Sequence, residues 1–156
     1  MGNCQSKVHE ADSTYIKVAS IIAERSKCAK LSVGAVICNN DRIISTGYNG
    51  SPSGFKNCRD QFPAGNLEGH SDWTEKYEIH AEMNALMFAA RSGIATAGST
   101  LYCTHIPCHN CLKHIIQAGV KRVVYLNDHY NVVYGEQTRD LIITTGISVE
   151  KYNSNL

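Results

Sequence analysis

The chain has 156 residues, of which 43% are hydrophobic and 19% charged, and its formal net charge is +1. This length suits one domain with its own hydrophobic core, so residues 1–156 are expected to form a single domain. The near-neutral charge and the lack of lysine or arginine runs argue against a nucleic-acid-binding protein, and no apolar stretch approaches the roughly 18 residues that cross a bilayer. A small-molecule ligand is therefore favoured over nucleic acid or a membrane.

Four helices and five strands are predicted from the apolar periodicity and the turn formers. Residues 1–10 are expected to be a flexible segment, and Asp12 or Ser13 can cap the first helix. Two β-branched runs around Asn39-Asn40-Asp41 indicate a hairpin, and Pro107 suits the first turn of a later helix. In chain order the predicted elements are a helix ending near Lys27, strands at 33–38 and 42–46, a helix at 81–91, a strand at 100–104, a helix at 107–118, a strand at 122–126, a helix at 136–144 and a strand at 147–152.

Two connecting segments have little regular character. Residues 47–54 read Gly-Tyr-Asn-Gly-Ser-Pro-Ser-Gly, which by composition alone is an ordinary turn. Residues 55–78 form a polar segment longer than a typical connection, and such loops are usually functional or disordered. Because strands alternate with helices elsewhere, the sequence predicts an α/β fold, a three-layer α/β/α sandwich with a five-stranded mixed sheet.

The cysteines favour metal binding over disulfides. There are seven of them, an odd number, and no export signal is recognisable, so reduced thiols or metal ligands and a cytoplasmic location are expected. The start Met1-Gly2-Asn3-Cys4-Gln5-Ser6 matches the pattern for N-myristoylation at Gly2, with Cys4 placed for a second acyl chain. Chance is the favoured interpretation of that match because the pattern fixes only three positions.

Two short segments carry the chemistry: His80-Ala81-Glu82 and Pro107-Cys108-His109-Asn110-Cys111. Cys108 and Cys111 are three residues apart, so in the first turn of a helix their sulfur atoms lie on one face. The amide groups and the dipole at a helix start favour the thiolate, which is the form that binds metal. Two thiolates and the imidazole of His80 leave the fourth position of a zinc ion open to water, as in catalytic zinc sites.

Glu82 indicates which zinc chemistry is involved. Residues two apart in a regular helix point to nearly opposite sides, so His80 and Glu82 can share a site only if they flank a helix start. A carboxylate beside a zinc-bound water can take its proton and pass it on, and zinc lowers the pKa of that water to about 7. The combination of H-x-E with P-C-x-x-C is the signature of zinc nucleobase deaminases. The nearby histidines lack the close spacing of a second ligand pair and are interpreted as surface or helix side chains: His105, His109 and His114.

With these residues the chain resembles the cytidine and deoxycytidylate deaminase superfamily, and within it the deoxycytidylate (dCMP) deaminases of the bacteriophage type. The likeness runs from about Tyr15 to Tyr152. The HAE and PCxxC elements are shared with tRNA adenosine deaminases, whereas the loop at 47–54 points to dCMP deaminases. The stretches that carry the resemblance are Val33-Gly34-Ala35-Val36, residues 42–54, Ile79-His80-Ala81-Glu82-Met83-Asn84-Ala85 and Pro107-Cys108-His109-Asn110-Cys111.

The resemblance implies a cytidine deaminase-like fold and hydrolysis of dCMP to dUMP and ammonia, which feeds thymidylate synthesis. Glu82 would protonate the pyrimidine ring and then the departing amine. The family implies a hexamer that is activated by dCTP and inhibited by dTTP, with Mg²⁺ accompanying the triphosphate. Asn49 would meet the deoxyribose or the regulator, and Arg91 would lie near subunit contacts. Tyr130, in a loop after a strand, is a candidate for contact with the nucleotide, although a surface position fits equally well.

Some phage-type members carry a second, structural zinc, whose ligands there would match Cys28, Cys58, His70 and Glu78. Two thiolates, an imidazole and a carboxylate complete a tetrahedron. Such an ion would also hold the polar segment 55–78, which has little apolar material of its own. From spacing alone, two buried thiols and a surface histidine would be the simpler interpretation.

Two alternatives stay open. The chain could be another deaminase of the superfamily, acting on tRNA adenosine or on free cytidine, although its near-neutral charge disfavours tRNA and the 47–54 loop disfavours a nucleoside. It could also be an inactive nucleotide-binding relative. Glu82 argues against that alternative, because a purely structural metal has no use for this carboxylate.

Overall fold

The computed structural model describes residues 4–63, 66–129 and 131–153, with side chains from Glu10 onward. All nine predicted elements are present in the predicted order. Two short helices that were not predicted lie between the second strand and the helix predicted at 81–91. The elements are α1 (Cys4–Ala23), β1 (Gly34–Asn39), β2 (Arg42–Tyr48), α2 (Cys58–Gln61), α3 (His70–Tyr77), α4 (Ala81–Arg91), β3 (Thr100–His105), α5 (His109–Gln117), β4 (Arg122–Asn127), α6 (Glu136–Thr145) and β5 (Ser148–Lys151).

The five strands form one mixed sheet in the order β2-β1-β3-β4-β5. β1 is antiparallel to both of its neighbours, whereas β3, β4 and β5 are parallel to one another. Asn40 and Asp41 connect β1 to β2 with φ values of 49° and 57°, the left-handed conformation that a two-residue hairpin turn requires. The predicted hairpin and the predicted five-stranded mixed sheet are confirmed.

Helices cover both faces of this sheet. On one face α4 and α5 supply Leu86 and Leu112, which belong to the same buried cluster as Leu101 of β3, and α6 packs against this cluster as well. On the other face α1 places Ile16 against Val36 of β1. The result is the predicted three-layer α/β/α arrangement, with α1 forming the layer on the second face.

A glycine allows β2 to lie directly against α4. A Cβ atom at Gly47 would be 2.3 Å from the carbonyl oxygen of Ala81 and 2.4 Å from the amide nitrogen of Ala85, so no other residue fits there without moving the helix. The Ser45 hydroxyl donates to the Ala85 carbonyl oxygen over 2.6 Å. Because Ala81 follows His80 directly, these contacts fix the start of α4, where the H-x-E motif lies.

The first helix corrects the sequence prediction. It spans Cys4–Ala23, whereas a helix capped by Asp12 or Ser13 and ending near Lys27 was predicted. Asp12 lies inside the helix and is buried, and its carboxylate accepts hydrogen bonds from the Tyr102 hydroxyl and from Arg122 at 2.7–2.9 Å. These partners on β3 and β4 explain why the capping rule failed. None of the described helices, α1 included, is long and apolar enough to cross a membrane.

The segment 55–78 is more ordered than its composition predicts, because it contains α2 and α3. Its aromatic residues pack on one another: the rings of Phe62 and Trp73 lie 5.8 Å apart, and those of Trp73 and Tyr77 lie 5.4 Å apart. Phe62 and Trp73 form a small buried cluster with two cysteines. The prediction of an irregular loop was therefore wrong, since a few aromatic contacts and the cysteines hold short helices that periodicity does not reveal.

Candidate active site

The two motifs meet where two helices begin. His80 is the residue before α4, Cys108 is the residue before α5, and Cys111 lies in the first turn of α5. The Nδ1 atom of His80 is 3.6 Å from the Cys108 sulfur and 3.4 Å from the Cys111 sulfur. One ligand atom from each of the three lies within 4.8 Å of the others. We call this set, His80, Cys108 and Cys111, the open cluster, because His80 is exposed, Cys108 is half-buried and only Cys111 is buried.

The open cluster favours a thiolate even without a metal. The neighbouring Cys111 side chain lowers the pKa of Cys108 to about 3, with further help from His80 and from the Cys111 amide. The same Cys108 side chain raises the pKa of His80 to about 9, and it also raises the pKa of Cys111. Negative charge is thus concentrated on sulfur at a helix start, which suits a divalent cation.

Glu82 lies beside the open cluster and is buried, with 4% of its surface exposed. Burial raises the pKa of its carboxyl group to about 7. His80 has extended backbone angles, φ −65° and ψ 152°, before α4 begins at Ala81. The predicted arrangement, in which His80 and Glu82 flank a helix start, is therefore present.

A cavity of about 400 Å³ adjoins these side chains. His80, Glu82 and Cys108 line it, so a molecule inside it would reach both the open cluster and the carboxyl group. The volume lies within the usual range for small-molecule sites.

Two contacts from the α6 side hold the Pro-Cys-His-Asn-Cys turn. The Tyr134 hydroxyl donates to the Pro107 carbonyl oxygen over 2.9 Å, and the His109 ring lies 2.9 Å from the Thr138 hydroxyl. Sequence reasoning missed Tyr134 and Thr138 because they lie far along the chain from Cys108 and no motif marks them. His109, interpreted from sequence as a surface or helix residue, is a helix residue with a specific partner.

A second group of metal-ligand atoms lies where the connection after α1 meets the segment 55–78. Cys28 follows α1, Cys58 begins α2 and His70 begins α3. The Cys28 sulfur is 3.5 Å from Nε2 of His70 and 3.9 Å from the Cys58 sulfur. We call this set, Cys28, Cys58 and His70, the buried cluster, because all three residues are buried.

Glu78 lies close to the buried cluster. It is not one of the three residues whose ligand atoms all lie within 4.8 Å of one another. Its Oε1 atom accepts a hydrogen bond from Asn49 over 2.7 Å, whereas Oε2 is buried and has no hydrogen-bond partner among the described residues. Burial raises the pKa of Cys28 to about 11, and the Glu78 charge adds to this rise. An unpartnered buried carboxylate oxygen beside two thiols and an imidazole fits a cation as the missing partner.

Asn49 lines the cavity, yet most of its hydrogen-bonding capacity is used within the protein. Its Oδ1 atom accepts from the Val33 amide over 2.9 Å, and its two N–H groups donate to the Leu31 carbonyl oxygen and to Glu78. One lone pair on Oδ1 is left to accept a hydrogen bond from a ligand hydroxyl. The predicted contact with deoxyribose or a regulator stays a prediction.

The remaining sequence candidates lie apart from the clusters. Arg91 is the exposed last residue of α4, and its role in subunit contacts stays a prediction. Tyr130 and Gly2 lie outside the described residues. His105, interpreted from sequence as a surface or helix residue, is instead the half-buried last residue of β3 and lines the cavity, because this strand continues one residue beyond its predicted end. His129, which no motif assigned, lines the cavity as well. Their positions shortly after predicted strands are the signal that could have found them.

Comparison with known proteins places the chain among deaminases. The family model for the cytidine and deoxycytidylate deaminase zinc-binding region matches residues 9–127. Deoxycytidylate deaminase of Enterobacteria phage T2 is 40% identical over 149 residues, covering 72% of this chain and 78% of that protein. ComE operon protein 2 of Bacillus subtilis is 39% identical over 137 residues, covering 88% and 68%.

A solved structure agrees with these matches. The dCMP deaminase of cyanophage S-TIM5, in complex with dCMP and dUMP, superposes with a TM-score of 0.73 at 36% identity. The match covers 91% of this chain and 96% of that one. The chain therefore belongs to the cytidine and deoxycytidylate deaminase family.

Proposed function

We propose that this protein hydrolyses dCMP to dUMP and ammonia, with zinc bound by His80, Cys108 and Cys111. One observation carries the proposal: the buried carboxyl group of Glu82, with a pKa near 7, lines the same cavity as the open cluster. The donor set fits zinc, and the exposed side of His80 leaves room for a water molecule and a substrate.

The catalytic roles follow from the environment of each group. A zinc ion bound at the open cluster would supply Lewis-acid activation of water. Glu82 takes one proton from that water and transfers it to N3 of the pyrimidine. It then takes the second proton from the hydroxyl group that water leaves on C4 and transfers it to the amine, so that the C4–N bond breaks and ammonia departs. A carboxyl group with a pKa near pH 7 can both accept and release a proton under neutral conditions. Glu82 therefore carries the two protons one after the other and ends the cycle in the protonation state in which it began.

The choice of dCMP as substrate is supported by the relatives. The phage T2 relative carries the name deoxycytidylate deaminase, and the cyanophage structure holds dCMP and dUMP. Deamination of tRNA adenosine or of free cytidine, and an inactive nucleotide-binding relative, are the alternatives that an assay must separate.

Turnover of defined substrates by the zinc-loaded protein tests the proposal. Incubation with dCMP, cytidine and a tRNA anticodon stem-loop, followed by ultraviolet absorbance and product analysis, is expected to show dUMP formation from dCMP. Turnover of the tRNA alone, or of cytidine in preference to dCMP, would replace the assignment with another deaminase. No turnover of any substrate would leave a binding protein.

A second, structural zinc at the buried cluster forms part of this proposal. Two thiols, an imidazole and the unpartnered Oε2 atom of Glu78 provide four donors of suitable type. Zinc there would connect the end of α1 to α2 and α3. Elemental analysis of the purified protein is expected to give two zinc ions per chain, and one zinc ion would contradict the second site.

Assembly and regulation complete the proposal. Met87 and Phe88 on α4 are 52% and 53% exposed, and Met87 lines an apolar groove of about 380 Å³. We expect this surface and the nearby Arg91 to form subunit contacts in a hexamer, since exposed apolar patches commonly mark interfaces. Light scattering tests the hexamer.

We expect dCTP with Mg²⁺ to activate the enzyme and dTTP to inhibit it, and Asn49 and Tyr130 to contact a nucleotide. Rates measured over a range of dCMP concentrations, with and without each triphosphate, test this regulation. Rates that neither triphosphate changes would contradict it.

A further inference from the structure

The cavity has a second polar part that the proposed reaction does not use. His105 is the last residue of β3, and His129 lies two residues beyond β4. Both line the cavity, and their rings lie 6.2 Å apart between centroids at an interplanar angle of 78°. β3 and β4 are adjacent parallel strands, so these histidines lie at the strand ends where α/β sheets bind ligands.

The hydrogen bonds of His129 assign the position of its proton. The Asn131 amide donates to Nδ1 of His129 over 3.2 Å. Because Nδ1 accepts this bond, the proton of the neutral ring lies on Nε2. His129 therefore carries an N–H donor on the ring atom away from the backbone.

The proton of the neutral His105 ring is assigned to Nε2 as well, from a different hydrogen bond. The Thr104 hydroxyl accepts a hydrogen bond from the Gly34 amide over 3.1 Å and lies 3.0 Å from Nδ1 of His105. Thr104 is buried, so its own hydroxyl proton needs an acceptor, and Nδ1 of His105 is the one in reach. The proton of the neutral His105 ring then also lies on Nε2.

A lysine shares the cavity with these two rings. Lys30 lines the same cavity, and among its described lining residues the carboxylates are Glu78 and Glu82, which lie with the two clusters. Burial lowers the pKa of His105, and the neighbouring His129 lowers it further. Positive charge on both rings is thus mutually repulsive, and an anion held by both would relieve that repulsion.

We propose that His105 and His129 bind the phosphate group of a pyrimidine nucleoside 5′-monophosphate through their Nε2–H donors. They would thereby select a nucleotide over the corresponding nucleoside. This inference rests on the proposed function and deepens it by naming the residues that determine specificity. His105 precedes Cys108 by three residues, so their Cα atoms are at most about 11 Å apart, a span that a bound nucleotide can bridge from its base to its phosphate.

A matched pair of double variants tests the inference. In H105N/H129N the amide oxygens can replace the Nδ1 acceptors, but the shorter side chains cannot reach the Nε2 positions. In H105Q/H129Q the amide nitrogens can supply donors near the Nε2 positions. The values of kcat/KM for dCMP and for 2′-deoxycytidine are measured for both variants and for the wild type, all loaded with zinc.

The two substrates should respond differently. We expect H105N/H129N to lose about 10- to 100-fold in kcat/KM for dCMP, because each hydrogen bond to a charged group contributes strongly. The value for 2′-deoxycytidine should change by less than about twofold, and H105Q/H129Q should recover most of the dCMP activity. An equal loss with both substrates, or an unchanged value for dCMP, overturns the inference.

Binding measurements test the phosphate assignment independently of catalysis. Titration of the wild type with dUMP and with 2′-deoxyuridine, followed through the imidazole C–H signals in NMR spectra, is expected to show tighter binding of dUMP. H105N/H129N should weaken dUMP binding by at least about tenfold and leave 2′-deoxyuridine unaffected. Equal binding of dUMP by both proteins would overturn the phosphate assignment, whereas absence of turnover in the wild type alone would contradict only the proposed function.

Discussion

The two clusters use the same donors, two cysteines and one histidine, but differ in their surroundings. The open cluster has an exposed histidine, lines a cavity and lies beside the buried Glu82. The buried cluster has no exposed member, and Phe62 and Trp73 pack around its cysteines. Donor type alone therefore does not distinguish the two clusters, and their different proposed roles rest on exposure, the adjoining cavity and the neighbouring carboxyl group.

The two clusters also differ in how well the elements that carry them are packed against the rest of the fold. The open cluster lies at the starts of α4 and α5, which pack on the sheet through the main core. The buried cluster joins the end of α1 to the four-residue α2 and the eight-residue α3. Support from the main core suits a reaction centre, whereas a metal bound at the buried cluster, as proposed above, would add to the aromatic contacts that hold the two short helices.

The largest expected effect is on kcat and concerns Glu82, which lies beside the open cluster and not beside the buried cluster. Glu82→Gln keeps the shape of the side chain but removes its ability to carry a proton, so kcat should fall by about 10²- to 10⁴-fold. Zinc content, measured by elemental analysis, should not change. Glu68→Gln, at an exposed position, is the control. Near-normal activity in Glu82→Gln would rule out its role in proton transfer.

Replacement of one cysteine in each cluster tests the division between catalysis and structure. Cys28→Ser should lower the free energy of unfolding by at least about 3 kcal/mol, or roughly 6–12 °C in Tm, if a metal bound at the buried cluster contributes to folding. Cys111→Ser should lower turnover with a smaller change in Tm. Thermal unfolding and zinc analysis of both variants provide the measurement. The comparison fails if Cys111→Ser is the more destabilised protein.

Glu78→Gln tests whether a fourth ligand closes the buried cluster. The amide oxygen of glutamine can still accept the hydrogen bond from Asn49, but the negative charge at Oε2 is lost. We expect zinc affinity at the buried cluster to fall by at least about tenfold, measured by competition with a chelator. Glu75→Gln, at an exposed position of α3 three residues before Glu78, is the control. Equal affinity in the two variants would remove Glu78 from the ligand set.

The smallest effect is expected at Thr138, which supports the open cluster from α6. Thr138→Val removes the hydroxyl partner of His109, a loss of about 1 kcal/mol. A decrease in kcat/KM of roughly fivefold should follow if the position of the Cys108–Cys111 turn depends on this bond. Steady-state kinetics provides the check, and Thr144→Val on the exposed part of α6 is the control. The same decrease in both variants would mean that Thr138 has no specific role.

Local sequence signals predicted the strands and the helices α4, α5 and α6 well, because each has a clear periodicity or turn. The hairpin at Asn40 and Asp41 is an example, since asparagine and aspartate tolerate positive φ. The first helix was misjudged because Asp12 finds its partners on β3 and β4. The short α2 and α3 were missed because their stability comes from aromatic and cysteine packing.

The sequence by itself determined the donor and acceptor types of the proposed catalytic site. Spacing placed Cys108 and Cys111 on one face of a helix start and required His80 and Glu82 to flank another. Tertiary structure alone brought the two helix starts together, buried Glu82 and raised its pKa to about 7. It alone also placed His105 beside His129. The physical reason is that burial and cross-strand distances depend on how the elements pack, and the local sequence does not encode that packing.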